Sequence, residues 1–192
     1  MKRIHFLCFL LLAVFLLTLG GCASNNLVRL TYPAKLSDVP WCRWDMAVAS
    51  FEDKRTTDVL GAMDETTPYR AESDVSEWAT RGIFEEMRSR GCACRYVKDG
   101  AEAGSGLLVT GQVLQVKLDK TGVSQWRSQL KINYVLTRNG EQVYAATHTG
   151  EVERPLVLNR DATTEIMAET LQDITVQAVE EMIKALESGK VN

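Results

Sequence analysis

The sequence predicts an α+β domain in which two helices pack on one face of a mixed, mostly antiparallel sheet, in the element order β-α-β-β-β-β-α. Two features of the chain predict this fold. Apolar runs at residues 46–51 and 92–97 flank a segment whose apolar residues repeat with the spacing of a helix. This order is typical of a β-α-β unit with parallel strands. Three long segments of strand character then lead into a second helical stripe that ends near residue 187.

Composition and charge exclude several classes of protein. The 192 residues are 45% hydrophobic and 24% charged, so a buried core is feasible and we do not expect disorder. The formal net charge of −3 makes the chain a poor candidate for binding nucleic acid or for adhering directly to an anionic bilayer.

The first 21 residues have the three-part layout of a secretory signal peptide. Lys2 and Arg3 supply positive charge, and residues 6–19 are almost wholly apolar. This apolar run is shorter than the roughly 17–25 residues of a membrane-spanning helix, and small residues rather than charged ones follow it. We therefore expect residues 1–21 to be removed on export.

Leu19-Gly20-Gly21-Cys22 resembles the lipobox of bacterial lipoproteins. The resemblance implies cleavage between Gly21 and Cys22, a diacylglycerol on the Cys22 sulfur and a further acyl chain, such as palmitate, on its freed amine. Three such chains hold a protein on a bilayer in effect permanently. The mature chain would carry 20 basic and 25 acidic residues, a net charge of −5. By resemblance to enterobacterial lipoproteins, Ala23 implies sorting to the outer membrane, with the body facing the periplasm, rather than retention in the inner membrane.

Residues 22–44 are predicted to form a lipidated tether, and residues 45–192 a single α+β periplasmic domain. Two prolines discourage regular structure in the tether, although Val28 and Leu30 indicate that part of it packs on the body.

In the first half of the domain, a polar loop of roughly 20 residues, at positions 52–73, separates the first strand from a helix. Asp74 and Glu77 form a capping-box pattern at the start of this helix, and Gly91 is typical of a helix end. The loop is long enough to be either functional or poorly ordered.

The second half predicts three antiparallel strands followed by a long helix. The predicted strands cover residues 107–118, 125–137 and 142–153. The middle strand alternates apolar and polar side chains, which indicates one face buried in the core and one face exposed to solvent. Asn139-Gly140 predicts a type I′ turn before the third strand. The final helix begins at Asn159 or Asp161 and runs to about Glu187.

Catalytic and metal-binding signals are sparse. His148 is the one histidine left after the predicted cleavage, which excludes two-histidine metal motifs from the mature chain. A catalytic triad would need His148, which lies within a predicted strand, so an ordinary strand residue is favoured. The chain has no phosphate-binding loop, dinucleotide-binding fingerprint, calcium loop or nucleophile elbow. We therefore predict no enzymatic activity, no metal site and no cofactor other than the covalent lipid on Cys22.

Cys42, Cys92 and Cys94 are the other cysteines of the mature chain. Because the periplasm is oxidising, a disulfide is expected before a metal site or a nucleophile. Cys42 precedes the first predicted strand and Cys92 begins the second, so the two can meet if these strands are parallel and close. We predict a bridge from Cys42 to Cys92 or to Cys94, since Cys92 and Cys94 are poorly placed to bond to each other.

A charged cluster at residues 51–55 lies where the first strand ends and the loop begins. Pairing of Asp53 with Arg55 would fix the start of the loop. The cluster is interpreted either as an ordinary charged strand end or as an anchor that positions the loop for a protein partner.

Asp53 and Arg55, with Leu60-Gly61 after them, resemble the YajG-type bacterial envelope lipoproteins, and the likeness of layout covers about residues 45–187. The same layout, with Trp78 in the first helix, is similar to the auxiliary lipoproteins of lipid-transporting ABC systems. Neither resemblance implies catalysis.

Three functions are compatible with these patterns. The leading hypothesis is a non-enzymatic, membrane-tethered interaction module of the cell envelope, which binds a protein partner through the 52–73 loop or an exposed sheet edge. An auxiliary subunit of a lipid-transporting ABC complex would instead have an apolar groove between sheet and helices for an acyl chain. An envelope enzyme would need His148 to lie near Cys92, Cys94 or a carboxylate.

Overall fold

The structure is a computed structural model that describes residues 26–34, 42–62, 67–155 and 161–189. The predicted signal peptide, its cleavage site at Gly21 and Cys22, and Asn159 lie outside the described residues. In chain order the strands are β1 (Leu27–Val28), β2 (Asp45–Ala49), β3 (Glu52–Asp53), β4 (Val59–Ala62), β5 (Pro68–Ala71), β6 (Ala93–Val97), β7 (Leu107–Lys120), β8 (Gln125–Arg138) and β9 (Glu141–Pro155). The helices are α1 (Val75–Ser89) and α2 (Ala162–Glu187), and a 3₁₀ turn covers Gly100–Ala103.

The main sheet has the strand order β6-β2-β7-β8-β9 and confirms the predicted α+β class. Strand β2 pairs in parallel with β6, as expected of strands joined by a helix, and it also pairs in parallel with β7 on its other side. The long strands β7, β8 and β9 form an antiparallel meander. Asn139 and Gly140 join β8 to β9 with φ angles of 52° and 87°, the positive values that a type I′ turn requires.

The described residues 52–62 and 67–73 contain strands where the sequence predicted a loop. Strand β3 extends the parallel half of the main sheet, and β4 and β5 form a hairpin that joins β1 in a second, three-stranded sheet. Leu60 and Tyr69 bury their side chains and hold this small sheet on the body. The sequence pattern misses these strands because segments of two to four residues are too short to display a period of two.

Both helices pack on the apolar face of the main sheet. Asp74 caps α1 by accepting a hydrogen bond from the Glu77 backbone N–H at 2.9 Å. Asp161 occupies the N-cap position of α2, whose apolar stripe is almost completely buried. The buried stripe includes Ile166, Leu171, Ile174, Ala178, Met182 and Ile183. Side chains from β8 complete this core from the sheet side, as its alternating pattern predicts.

Candidate functional site

The segment of residues 26–34 is fastened to both helices, although it contains only the two-residue strand β1. The Trp78 indole donates a hydrogen bond to the Thr31 carbonyl at 2.8 Å. The Gln172 side chain of α2 donates to the Pro33 carbonyl at 2.9 Å. These contacts tie the chain that follows the predicted lipidation site to the helical layer.

Tyr32 makes the most buried contact of this segment. Its hydroxyl donates to Glu86 Oε2 at 2.8 Å, and Arg90 Nε donates to Glu86 Oε1 at 2.9 Å. Glu86 is only 2% exposed, so these charge-assisted bonds offset the cost of burying a carboxylate. Burial, followed by the neighbouring Glu86 charge, raises the pKa of Tyr32, which keeps the hydroxyl protonated as a donor.

Asn26 fixes the other end of the segment to β5. Its side-chain amide donates to the Pro68 carbonyl at 2.7 Å, and its own carbonyl accepts from the Arg70 backbone N–H at 3.1 Å. The parallel β1–β5 pairing continues these bonds along the chain. Asn26, the first residue that the structure describes, lies only four residues after Cys22 in the sequence.

The structure joins Cys42 to Cys92, one of the two pairings that the sequence left open, with a Cα–Cα distance of 4.8 Å. The Cys42 backbone N–H also donates to the Arg90 carbonyl at 3.0 Å, so the chain enters β2 beside the end of α1. Cys94 is a half-buried free thiol. Burial raises the pKa of Cys94 to about 12, which makes it a poor nucleophile at neutral pH.

Asp53 and Arg55 form a two-pronged ion pair at the end of β3. Arg55 Nε donates to Asp53 Oδ1 at 2.9 Å, and Nη2 donates to Oδ2 at 2.7 Å. The Arg55 backbone N–H adds a third bond to Oδ1 at 3.0 Å. These bonds from Arg55 lower the pKa of Asp53. Because the partners are two residues apart, the pair holds the local turn between β3 and β4.

His148 lies in a polar contact between β9 and α2 that the sequence did not indicate. Its Nε2 is 2.6 Å from the Tyr144 hydroxyl and 3.5 Å from Glu181 Oε2, and the Tyr144 hydroxyl donates to the same carboxylate oxygen at 2.9 Å. Tyr144 and His148 share one face of β9, which the period of two could have revealed.

The His148 cluster does not have the geometry of a catalytic triad. In a triad the carboxylate orients one ring nitrogen while the other contacts the nucleophile, whereas here both Tyr144 and Glu181 approach Nε2. Cys94 lies on β6, four strand spacings from β9, or about 19 Å across the sheet. The free thiol and the imidazole therefore cannot act as a pair.

In the part of the chain that the structure describes, no three His, Cys, Asp or Glu residues are grouped to hold a metal ion. Neither helix within the described ranges is both long and apolar enough to cross a bilayer.

The space between helices and sheet is filled by side chains across the described residues, including Ile132 and Leu171, which are both fully buried. A surface pocket of about 400 Å³ lies between α1 and the 26–34 segment. Charged side chains line much of it, among them Arg29, Asp74 and Arg81. This polar pocket differs from the apolar groove that an acyl chain would need.

Strand β9 forms one edge of the main sheet, with β8 as its strand neighbour among the described residues. From Val143 to Gly150 it contains no Lys, Arg, Asp, Glu or Pro, although such residues commonly protect edge strands. Ala145, Thr147 and Thr149 are exposed on this stretch. Because the described residues place no strand on the outer side of β9, this edge can pair with another strand.

Comparisons with known proteins establish the fold. No family model and no curated protein sequence matches this chain. Among solved structures, protein XCC0632 from Xanthomonas campestris, described as DUF330, is 16% identical with a TM-score of 0.62, and the match covers 86% of this chain and 99% of that one. A crystal structure described as an uncharacterized protein is 9% identical with a TM-score of 0.51, and the match covers 81% of this chain and 99% of that one.

A more distant match is the lipoprotein GNA1162 from Neisseria meningitidis, at 10% identity and a TM-score of 0.40, covering 73% of this chain and 98% of that one. The first two similarities show that this chain has a fold already observed in solved proteins, including one of the DUF330 type.

Proposed function

We propose that this protein is a non-enzymatic lipoprotein of the YajG type. It is anchored in the outer membrane through Cys22 and faces the periplasm, where it binds an envelope protein by adding that partner's strand to the β9 edge. The covalent lipid is its only cofactor.

The observation that carries this proposal is the unprotected stretch of β9 from Val143 to Gly150. An exposed edge strand presents backbone N–H and C=O groups that pair with any compatible strand, which is a hazard unless charges or prolines block it. Here the charged residues lie outside the stretch, at Glu141 and Glu151. A periplasmic protein with this edge benefits from a partner that covers it.

The contacts of the N-terminal segment support an anchored module. Asn26 and Tyr32 tie the chain directly after the predicted lipid site to the body, so the anchor and the binding domain act as one unit. The small residue Gly21 before Cys22, together with Ala23, supports the lipidation and the outer-membrane destination.

The chemistry of the polar groups supports a binding role over catalysis. Tyr144 and Glu181 both approach the same nitrogen of the His148 imidazole. Burial strongly raises the pKa of the free Cys94 thiol. The Asp53–Arg55 pair serves the same module by holding the β3–β4 turn in one shape.

An auxiliary lipoprotein of a lipid-transporting ABC system is the second candidate, favoured by the layout that includes Trp78. Because side chains fill the layer between helices and sheet, such a subunit would act by binding the transporter rather than by carrying lipid itself. The identity of the captured partner distinguishes the two candidates.

The test is site-specific photocrosslinking in intact cells, with the reactive residue at Thr147 or Thr149. We expect one envelope protein to be captured from both positions and not from Arg81, which is exposed on α1. With the crosslinker at Thr149, Thr147→Lys places a charge at the centre of the edge and should reduce capture several-fold, whereas Thr147→Ser should not. Capture from Thr56 alone would assign binding to the 52–73 region instead.

A further inference from the structure

Three features meet at one end of the molecule. Asn26 binds Pro68, the first residue of β5, which pairs with Ala62 at the end of β4, and Gly61 lies against the Leu118 backbone near the end of β7. The Tyr69 ring also contacts the Trp126 ring, with centroids 5.6 Å apart, near the start of β8. Asn26, with which the described residues begin, is therefore on the same end of the body as the β7–β8 turn.

The β7–β8 turn carries an apolar residue at its apex. The Thr121 backbone N–H donates to the Gln125 carbonyl at 2.9 Å and closes the turn. Val123 at the apex is 96% exposed, and Leu27 beside Asn26 is 47% exposed. They are two of three large hydrophobic residues exposed in the described part of the chain, and the third, Tyr96, has a hydroxyl bonded to the Ser50 side chain.

The chain between the lipid and this end is short. Four residue steps separate Cys22 from Asn26, and a fully extended chain spans at most about 3.6 Å per residue, so the connection reaches no further than about 14 Å. The opposite end of the sheet is much more distant, because the 14 residues of β8 extend over about 45 Å. The connection therefore holds the β7–β8 end close to the lipid-bearing bilayer and places no such limit on the distance of the β8–β9 end.

We propose that the β7–β8 turn, with Val123 at its apex, and Leu27 rest on the bilayer that holds the acyl chains. This inference depends on the lipidation stated in the proposed function. The occupant is a lipid surface, because the short connection brings this end to the headgroup region whenever the protein is anchored. The contact is too small to bind a membrane by itself, and instead it sets the orientation of the anchored body. The long axis of β8 then points away from the membrane and holds the far turn in the periplasm.

The experiment uses the full mature lipoprotein reconstituted in vesicles of phosphatidylethanolamine and phosphatidylglycerol. Cys94→Ser removes the free thiol, and a nitroxide is attached at Val123→Cys or, as the matched control, at Glu141→Cys in the exposed β8–β9 turn. Flotation measures anchoring. Spin relaxation by oxygen and by a nickel chelate measures whether each site contacts lipid or water.

We expect the Val123 site to be at least several-fold less accessible to the nickel chelate than the Glu141 site, and more accessible to oxygen. Equal, water-like accessibility at both sites in vesicles that float would overturn the orientation and leave the anchoring intact. Shielding from nickel without a gain in oxygen accessibility would indicate a protein contact at the turn and would also overturn it. Failure to float would refute the lipid anchor and this inference together.

Discussion

Glu86 and Cys94 are both ionisable side chains removed from bulk water, and their surroundings give them different properties. Glu86 receives hydrogen bonds from Tyr32 and Arg90, which stabilise the ionised carboxylate in the position where it holds the 26–34 segment. At Cys94, desolvation has the largest effect and raises the thiol pKa to about 12. At the residue scale, the hydrogen bonds of Glu86 therefore stabilise structure, and the surroundings of Cys94 do not activate its thiol.

The raised pKa of Cys94 predicts slow alkylation. Only the thiolate form of a cysteine attacks iodoacetamide, and the ordinary thiol pKa is 9.0. We therefore expect Cys94 to react at pH 8 about 1000-fold more slowly than an exposed cysteine. Mass spectrometry of timed samples of the folded protein measures the rate. Ser105→Cys, at an exposed loop position, provides the comparison. Similar rates at the two positions would contradict the assignment of Cys94 as a protonated, shielded thiol.

At the scale of elements, the small sheet of β1, β5 and β4 depends on one close approach to the main sheet. A Cβ added at Gly61 would lie 1.9 Å from the Leu118 carbonyl oxygen. No side chain can occupy this position unless the β4 and β7 backbones separate. The glycine therefore allows β4 to lie along β7 and, through β5, brings β1 to this end of the body.

Gly61→Ala should destabilise the protein by about 1–3 kcal/mol, because the added methyl group overpacks against backbone rather than against a flexible side chain. Urea unfolding of the mature protein measures the change in the free energy of unfolding. Gly100→Ala is the matched control, since its Cβ would lie 3.2 Å from the Leu108 Cδ2 methyl group, which can move. We expect the control to lose less than about 0.5 kcal/mol. Equal losses in both variants would refute the close-approach explanation.

At the scale of the whole molecule, the Cys42–Cys92 bridge connects the chain before β2 to the chain after α1. It closes a loop with a sequence separation of 50, which includes the small-sheet hairpin and α1. The bridge therefore restricts the unfolded chain across most of the parallel half of the protein.

Replacing both bridged residues, as Cys42→Ala with Cys92→Ala, should lower the free energy of unfolding by about 4 kcal/mol, as chain-entropy models give for a loop of this length. Chemical denaturation under oxidising conditions measures the loss. Cys94→Ala should change the stability by about 1 kcal/mol or less, because that thiol is not bridged. An unchanged midpoint in the double variant would show that the bridge does not form in solution.

Much of the fold could be predicted because its long elements carry local periodic signals. The α2 stripe from Ile166 to Ile183 repeats with the helical period, and β8 alternates strictly along its length. Asn139-Gly140 predicts a turn because these two residue types readily adopt the positive φ angles that the turn requires. The short strands β4 and β5 have no such repeat, and they are held in place by contacts with β7 and β8.

The contacts at the candidate sites also differ in whether the sequence could predict them. Asp53 and Arg55 are two residues apart, so their pairing could be anticipated from the chain. The contact of His148 with Glu181 joins a strand to a helix across a long sequence separation, and no spacing rule connects them. The open edge of β9 was equally hidden, because a strand becomes an edge only through the order of strands in the sheet.

The sequence by itself determined the long helices and strands and their order along the chain, because periodicity, caps and turn residues act between near neighbours. It also determined the lipobox pattern from which the anchor is inferred. Only the tertiary structure decided that Cys42 bonds to Cys92 rather than to Cys94, that β9 is an edge of the sheet formed by the described residues, and that Val123 lies at the same end as Asn26. Each of these features depends on contacts between residues that are far apart in the sequence. Those contacts form only when the sheet and the helices pack against each other.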